Sequence, residues 1–236
     1  MYFTYEAYLW IGILSFYIYD SLKLVNHNEF FIKKGFREID FTFPSDFFTF
    51  KNKIVFIHNL LLPHQSFYKF SYPDKTKNKN INQINNFNSY EKKLFFLKIT
   101  SIIKFLLIIF IFPLGVYLSI NDELILTSLA LIYLLILIEF IFMFINYKRI
   151  KLSKKFIIYK LFNNLLCPPL SINLLKDISK DYQIKYPFLY FAKNKLNQYK
   201  YEKFSKLLKI RLQGQLENFI FEDSLRIKIK NLESKL

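Results

Sequence analysis

Two ionisable residues stand where the sequence around them is otherwise apolar. Lys104 lies within "FLKITSIIKFLLIIFIFPLGVYLSI" and Glu139 within "LILTSLALIYLLILIEFIFMFINYKR". An acid in such a segment can do one of two things: pass protons along a relay, or hold two helices in register through an ion pair. Their spacing favours the pair. Lys104 is 17 residues before Asn121, and Glu139 is 16 residues after Glu123. At about 1.5 Å of rise per residue both sit roughly 24–26 Å from the turn between the segments. Two antiparallel helices would bring them to the same depth, near the inner leaflet of a membrane. A relay needs more than one polar step, and no second acid lines the same span. A proton relay, a lipid-headgroup contact and a contact with another subunit are the competing roles for Glu139.

The remaining candidates are weaker. His27, His58 and His64 all fall before residue 94, outside any clear span, so each is expected at a surface or an interface rather than on haem or quinone. Cys167, in "LLCPPL", is the single cysteine; alone it makes neither an internal disulfide nor a cysteine zinc site, and it reads as a small buried hydrophobe beside a rigid double-proline turn. The four glycines, Gly12, Gly35, Gly115 and Gly214, are too scattered for a phosphate-cradling loop. No catalytic residue, cofactor site or metal site is expected.

The elements that would position Lys104 and Glu139 are plain. Residues 94–120 and 124–146 are each long and apolar enough to span about 30 Å of hydrocarbon, and "NDE" (121–123) joins them. So short a link predicts an antiparallel helical hairpin, 94–146. Residues 1–20 form an N-terminal transmembrane or interfacial helix; its uncharged core, Ala7 to Tyr19, is only 13 residues. A cleaved signal is disfavoured, because no basic stretch precedes this core and no small-residue site follows it. Residues 21–93 are polar and broken by Pro44, Pro63 and Pro73; "FKNKIVFIHNLLLP" suits one short helix or strand, and 73–90 reads as a flexible connection. Residues 147–236 read as helical. Ser171 would cap a short helix carrying Leu174, Leu175, Ile178 and Tyr182. Phe204, Leu208, Leu212, Leu216 and Phe219 then begin an apolar stripe that continues toward Leu236 on a basic amphipathic helix or helix pair. The fold class expected is an all-α integral membrane protein.

Charge sets the orientation. The chain carries 34 Lys and Arg against 18 Asp and Glu. Residues 147–236 alone hold a net +13, whereas 94–146 hold two basic and three acidic residues. Lys92, Lys93 and Lys98 flank the start of the hairpin, and Lys148, Arg149, Lys151, Lys154 and Lys155 flank its end. By the positive-inside rule both ends face the cytoplasm-equivalent side and the acidic turn faces out. The five residues from Lys148 to Lys155 are candidate contacts for anionic headgroups such as those of cardiolipin.

Phe, Ile, Lys, Asn and Tyr supply 127 of the 236 residues, and Lys outnumbers Arg 30 to 4. These enriched residues have AT-rich codons, so much of the aromatic and Asn content follows from base composition. In this, and in segments such as "FLLIIFIFPLGVYLSI", the chain resembles inner-membrane proteins encoded in protist mitochondrial genomes, particularly the unassigned ymf-type reading frames of ciliates. The resemblance is compositional. It implies a mitochondrial inner-membrane protein with the turn at 121–123 toward the intermembrane space and the C-terminus in the matrix. It further implies a non-catalytic structural or accessory subunit of a respiratory-chain complex or of F-type ATP synthase, packed on other subunits and on cardiolipin. A two-span anchor followed by a basic helix looks like the peripheral-stalk subunit of that synthase in architecture only. The alternatives are an independent oligomeric carrier or channel, and a membrane tether for a ribosome or insertion machinery; contact with nucleic acid is the less favoured use of the basic tail.

Overall fold

The structure, a computed structural model, describes residues 5–44, 48–51, 53–72, 82–118, 122–182 and 187–218. It opens with α1 (Tyr5–Ser21), continues through six short strands, and is helical from Asn82 onward.

The predicted hairpin is present as two helical rods. The first comprises α3 (Phe95–Leu106), a π-helical turn (Leu107–Ile111) and α4 (Phe112–Tyr117). The second is α5 (Asp122–Ile150), with Asp122 and Glu123 in its first turn and Lys148 and Arg149 in its last, charges that complement the helix dipole. Phe95–Tyr117 and Ile125–Ile150 are long and apolar enough to cross a membrane. The rods run antiparallel. Phe96 packs on Phe142 at one end, with ring centroids 4.8 Å apart, and Gly115 approaches Ile125 at the other. A Cβ on Gly115 would stand 3.7 Å from the Ile125 side chain, in ordinary contact. Asn121, from the expected turn, lies outside the described residues.

Helix α1 packs antiparallel to the first rod. Trp10 meets Ile109, whereas Tyr17, two turns later, meets Phe105 at 5.9 Å. At about 1.5 Å per residue its 17 residues reach about 25 Å, a little short of the hydrocarbon thickness of a bilayer. The contact at Ile109 has a specific cause. Pro113 has no N–H, so the carbonyl four residues earlier, that of Ile109, loses its helical donor. The ladder adjusts by one π-turn, in which the Phe112 N–H donates to the Leu107 carbonyl. The Trp10 indole N–H then donates to the Ile109 oxygen at 3.0 Å. Replacing Trp10 with Phe should cost about 1–2 kcal/mol. In a Pro113→Ala background, where residue 113 can donate to Ile109 itself, the same change should cost clearly less. Thermal unfolding of the four proteins tests this coupling; equal costs in both backgrounds would refute it.

The region 21–93, expected to be polar with one short helix or strand in "FKNKIVFIHNLLLP", instead supplies two three-stranded antiparallel sheets, so the fold is mostly helical but not all-α. One sheet has the order β1 (Leu22–Val25), β5 (Lys53–Ile57), β4 (Thr49–Phe50). The other has the order β3 (Ile39–Thr42), β2 (Glu29–Lys34), β6 (Ser66–Ser71). Register pairs Phe30 with Phe70 and Ile32 with Tyr68 in the second sheet, and Leu24 with Val55 in the first. The central strand β2 is covered on both faces. Phe31 stacks on Phe56 of the first sheet at 4.7 Å. Phe30 faces the other way, against Phe188 and Phe204 of the C-terminal helices.

Two expectations about helices are corrected. Residues 82–90, read as part of a flexible connection, belong to helix α2 (Asn82–Lys93), whose Phe87 and Tyr90 are buried; residues 73–81 lie outside the described set. Ser171 does not cap a helix. It sits inside a 3-10 turn, Pro168–Asn173, that begins at the double proline after α6 (Lys154–Leu166) and leads into α7 (Leu174–Lys180). The last described elements are α8 (Phe188–Lys195) and α9 (Gln198–Asn218). On α9 the stripe residues Phe204, Leu208 and Leu212 are fully buried; its continuation at 219–236 lies outside the described residues. One continuous core runs from Tyr17 through the hairpin to Leu212. The four sequence segments are therefore packed together rather than strung apart.

Candidate functional site

Lys104 and Glu139 are fully buried, and the structure brings them together across the hairpin, Nζ to Oε2 at 2.6 Å. Two further groups complete the cluster. Thr100, one turn before Lys104 on the same helix face, donates its hydroxyl to Glu139 Oε1. The Ser171 backbone carbonyl accepts from Lys104 Nζ at 2.5 Å. The prolines at 168 and 169 set the 3-10 turn that aims this carbonyl inward. The pair joins α3 to α5, and Ser171 ties both to the C-terminal region. Each charge is neutralised and each carboxylate oxygen has a donor, which is the condition for a buried ion pair to persist.

A second cluster sits at the start of the first rod. The Glu91 carboxylate accepts from Ser66 Oγ at 2.8 Å and from the Tyr68 hydroxyl on one oxygen, and from Lys98 Nζ at 2.6 Å on the other. Lys98 also donates to the Gly35 carbonyl at 2.8 Å. Lys98, read from sequence as a flanking charge, is thus a buried strut between sheet and hairpin. The 91-to-98 spacing, two helical turns, is the signal that could have paired them. Burial, with the Glu91 charge beside it, pushes the Tyr68 hydroxyl well above its usual range.

A third network lies under α7. Asp177 accepts from Lys160 and from Lys23, the latter at 3.1 Å. Burial pushes the Asp177 carboxyl up, but these two ammoniums override it and hold it below its usual range. Lys176 next to it donates to the Asn59 carbonyl at 3.0 Å, and burial lowers its pKa to about 7.

His58, expected at a surface or an interface, is buried in a box of Phe31, Phe56 and Phe67, where the two sheets meet, with ring centroids 4.5–6.3 Å away. Burial, then the charge of Lys176, lowers its pKa to about 3. A folded-state value below the unfolded 6.5 means that unfolded chains take up the proton first as pH falls. Stability from this site is intact above pH 6.5 and declines as pH drops toward 3. By pH 4.5 the loss should be about 3 kcal/mol, and His58→Phe should remove that part of the acid slope. Thermal midpoints of both proteins between pH 7.5 and 4.5 test this; parallel curves would refute it. His64 stacks on Phe36 at 4.8 Å, and His27 lies in the turn before β2, where its carbonyl accepts from the Tyr72 hydroxyl. Cys167 is half-buried where α6 ends.

Lys148, Arg149, Lys151, Lys154 and Lys155 cluster on one exposed bend between α5 and α6. Lys148 and Lys154 lie over the Tyr147 ring and Lys151 over that of Tyr182. Lys151 adopts φ 58°, a left-handed conformation that turns the chain sharply there. Among the described residues no group of three or more His, Cys, Asp or Glu is placed to hold a metal ion.

No protein family, curated protein or solved structure matches this chain.

Proposed function

We propose that the chain is an integral membrane subunit whose role is to anchor and pack, not to catalyse. It is held by the hairpin together with α1, and its sheets and C-terminal helices lie on the side carrying the basic bend. One observation carries this reading. Within its two rods the hairpin turns Lys98, Lys104 and Glu139 inward, where each is bonded, and turns apolar side chains outward. Ile99, Leu106, Phe110 and Leu114 on the first rod, and Leu126, Leu134, Ile141 and Ile145 on the second, are all exposed. A contiguous apolar surface of that extent requires lipid or protein cover. Lys104 and Glu139 are occupied by each other, Thr100 and Ser171, which supports a structural rather than a transporting pair.

The AT-driven composition supports a mitochondrial gene, and hence an oxidative-phosphorylation complex of the inner membrane, with the hairpin turn toward the intermembrane space and the C-terminal region in the matrix. Exposed Phe48, Phe50, Leu61 and Tyr199 on the polar side add apolar surface for neighbouring subunits. The test has two steps. Carbonate washing of native membranes should leave the chain in the pellet. Gentle solubilisation, a native gel and mass spectrometry should then place it with a respiratory complex or ATP synthase, stable to salt and nuclease. Release by carbonate would sink the membrane reading. A small homo-oligomer with transport activity, or nuclease-sensitive comigration with ribosomes, would replace the subunit reading with a carrier or a tether.

A further inference from the structure

Where β2, α2 and α3 meet there is an open cleft of about 460 Å³, lined by Lys34, Phe36, Glu91, Lys92, Phe95 and Lys98 among others. That volume lies within the ~300–1,000 Å³ typical of small-ligand sites. Its charge is one-sided. Among the described residues Glu91 is the only carboxylate lining it, and both Glu91 oxygens are already taken by Ser66, Tyr68 and Lys98. Among the described residues neither Lys34, whose Nζ donates to the neutral Arg37 carbonyl at 3.0 Å, nor Lys92 has a carboxylate partner. A further ammonium joins them from the far end of the chain: Lys195 donates to Asn88, another lining residue, at 2.9 Å. Burial lowers the Lys195 pKa, and the nearby Lys34 charge lowers it further, as crowded like charges do. Ammoniums from three separate elements, β2, α2 and α8, thus converge on a cleft whose one acid is spent.

The cleft also has an apolar side. Phe36 and Phe95 are both exposed and meet edge to face with centroids 6.0 Å apart. Phe95 is the first residue of the first apolar rod, so the cleft straddles the level at which polar surface gives way to apolar surface. An isolated phosphate would use only the lysines. A phosphate ester carrying acyl chains would use the lysines and the phenylalanines together.

We infer that this cleft binds the phosphate headgroup of an anionic phospholipid, gripped by Lys34, Lys92 and Lys195 with its acyl chains leaving along Phe36 and Phe95. The site rests on the membrane reading above and is separate from the basic bend at 148–155. It fixes a lipid between the sheet, α2 and α8, rather than holding the membrane surface loosely.

The experiment uses the full-length protein in mild detergent, with native mass spectrometry reading bound lipid from mixed micelles of anionic and zwitterionic phospholipid. The variant is K34Q/K92Q/K195Q, which leaves the Glu91–Lys98 strut intact; a matched thermal midpoint reports that it is folded. The control is K148Q/K151Q/K154Q at the bend. Wild type should retain anionic phospholipid in preference to zwitterionic. The first variant should bind it at least about 10-fold more weakly, and the control should differ from wild type by less than about threefold. Inorganic phosphate should compete only weakly. Equal binding by K34Q/K92Q/K195Q, or no preference for the anionic lipid, would overturn the site. Displacement by inorganic phosphate at concentrations comparable to the lipid's would assign the cleft to free phosphate and overturn the lipid. Failure of the membrane reading would show separately, as carbonate release of the wild-type chain.

Discussion

Glu139→Gln should lower stability by about 3–5 kcal/mol, because it leaves the Lys104 ammonium buried with no counter-charge. Lys104 is wholly enclosed, so water cannot take the place of the lost carboxylate. The Ser171 carbonyl would still accept from Nζ, but a neutral acceptor does not cancel a charge in a low-dielectric site. Adding Lys104→Met should recover most of the loss, since two neutral side chains of similar volume avoid the desolvation of both ions. Thermal unfolding in detergent, with accumulation in the membrane as a second readout, gives the comparison. A double variant no more stable than Glu139→Gln alone would mean that the pair is not the reason Glu139 is needed. Thr100→Val, which removes one donor to the same carboxylate, should fall between wild type and Glu139→Gln.

Phe30→Ala is the other change expected to be severe, again about 3–5 kcal/mol. Phe30 is fully buried and touches rings from three elements and two loops: Phe70 on β6, Phe188 on α8 and Phe204 on α9, with Phe43 after β3 and Tyr72 just past β6. Removing it opens the seam between the second sheet and the C-terminal helices. Phe31→Ala, one residue along, opens the opposite seam toward Phe56 and the first sheet. The two variants should therefore differ in where they become cleavable by protease: within 187–218 for Phe30→Ala, and around 49–57 for Phe31→Ala. Identical cleavage patterns would show that the two faces of β2 do not act separately.

That seam also explains what the sequence concealed. The hairpin was legible because an apolar run that long has few alternatives, and because the depths of Lys104 and Glu139 follow from residue counting alone. The sheets were not. A strand covered on one face announces itself by alternation, but β2, "EFFIKK", is covered on both, so its apolar residues run consecutively. In a chain already crowded with Phe, Ile and Lys by codon bias, such a run carries little signal. Strand β5, "KIVFI", does alternate, with Ile54 and Phe56 buried, and its region was the one given a possible strand. Its pairing with β1 is not legible, because the paired residues, Leu22 with Ile57 through Val25 with Ile54, lie about 30 positions apart in the chain.

Helix α2 was hidden for a different reason. Phe87, Tyr90, Leu94 and Leu97 form one stripe at helical spacing, and all four are buried. Taking Leu94 as the start of the span cut that stripe in two and left each half too short to recognise. The same cut separated Glu91 from Lys98. Ser171 was missed in another way: its contribution to the Lys104 cluster is a backbone oxygen, which side-chain chemistry cannot announce. For His58, nothing in "FIHNLL" foretells that two sheets close over it.

The Ser171 contact bears on biosynthesis. Lys104 leaves the ribosome 35 residues ahead of Glu139 and 67 ahead of Ser171. Under the proposed membrane reading, the growing chain carries a lysine into a greasy environment before either acceptor exists, and it acquires them in a fixed sequence. Glu139 arrives first and allows the two rods to close as a neutral unit. Ser171 arrives only after α6 has been made and has folded back. A nascent chain halted between these two points would hold a closed but incompletely sealed hairpin.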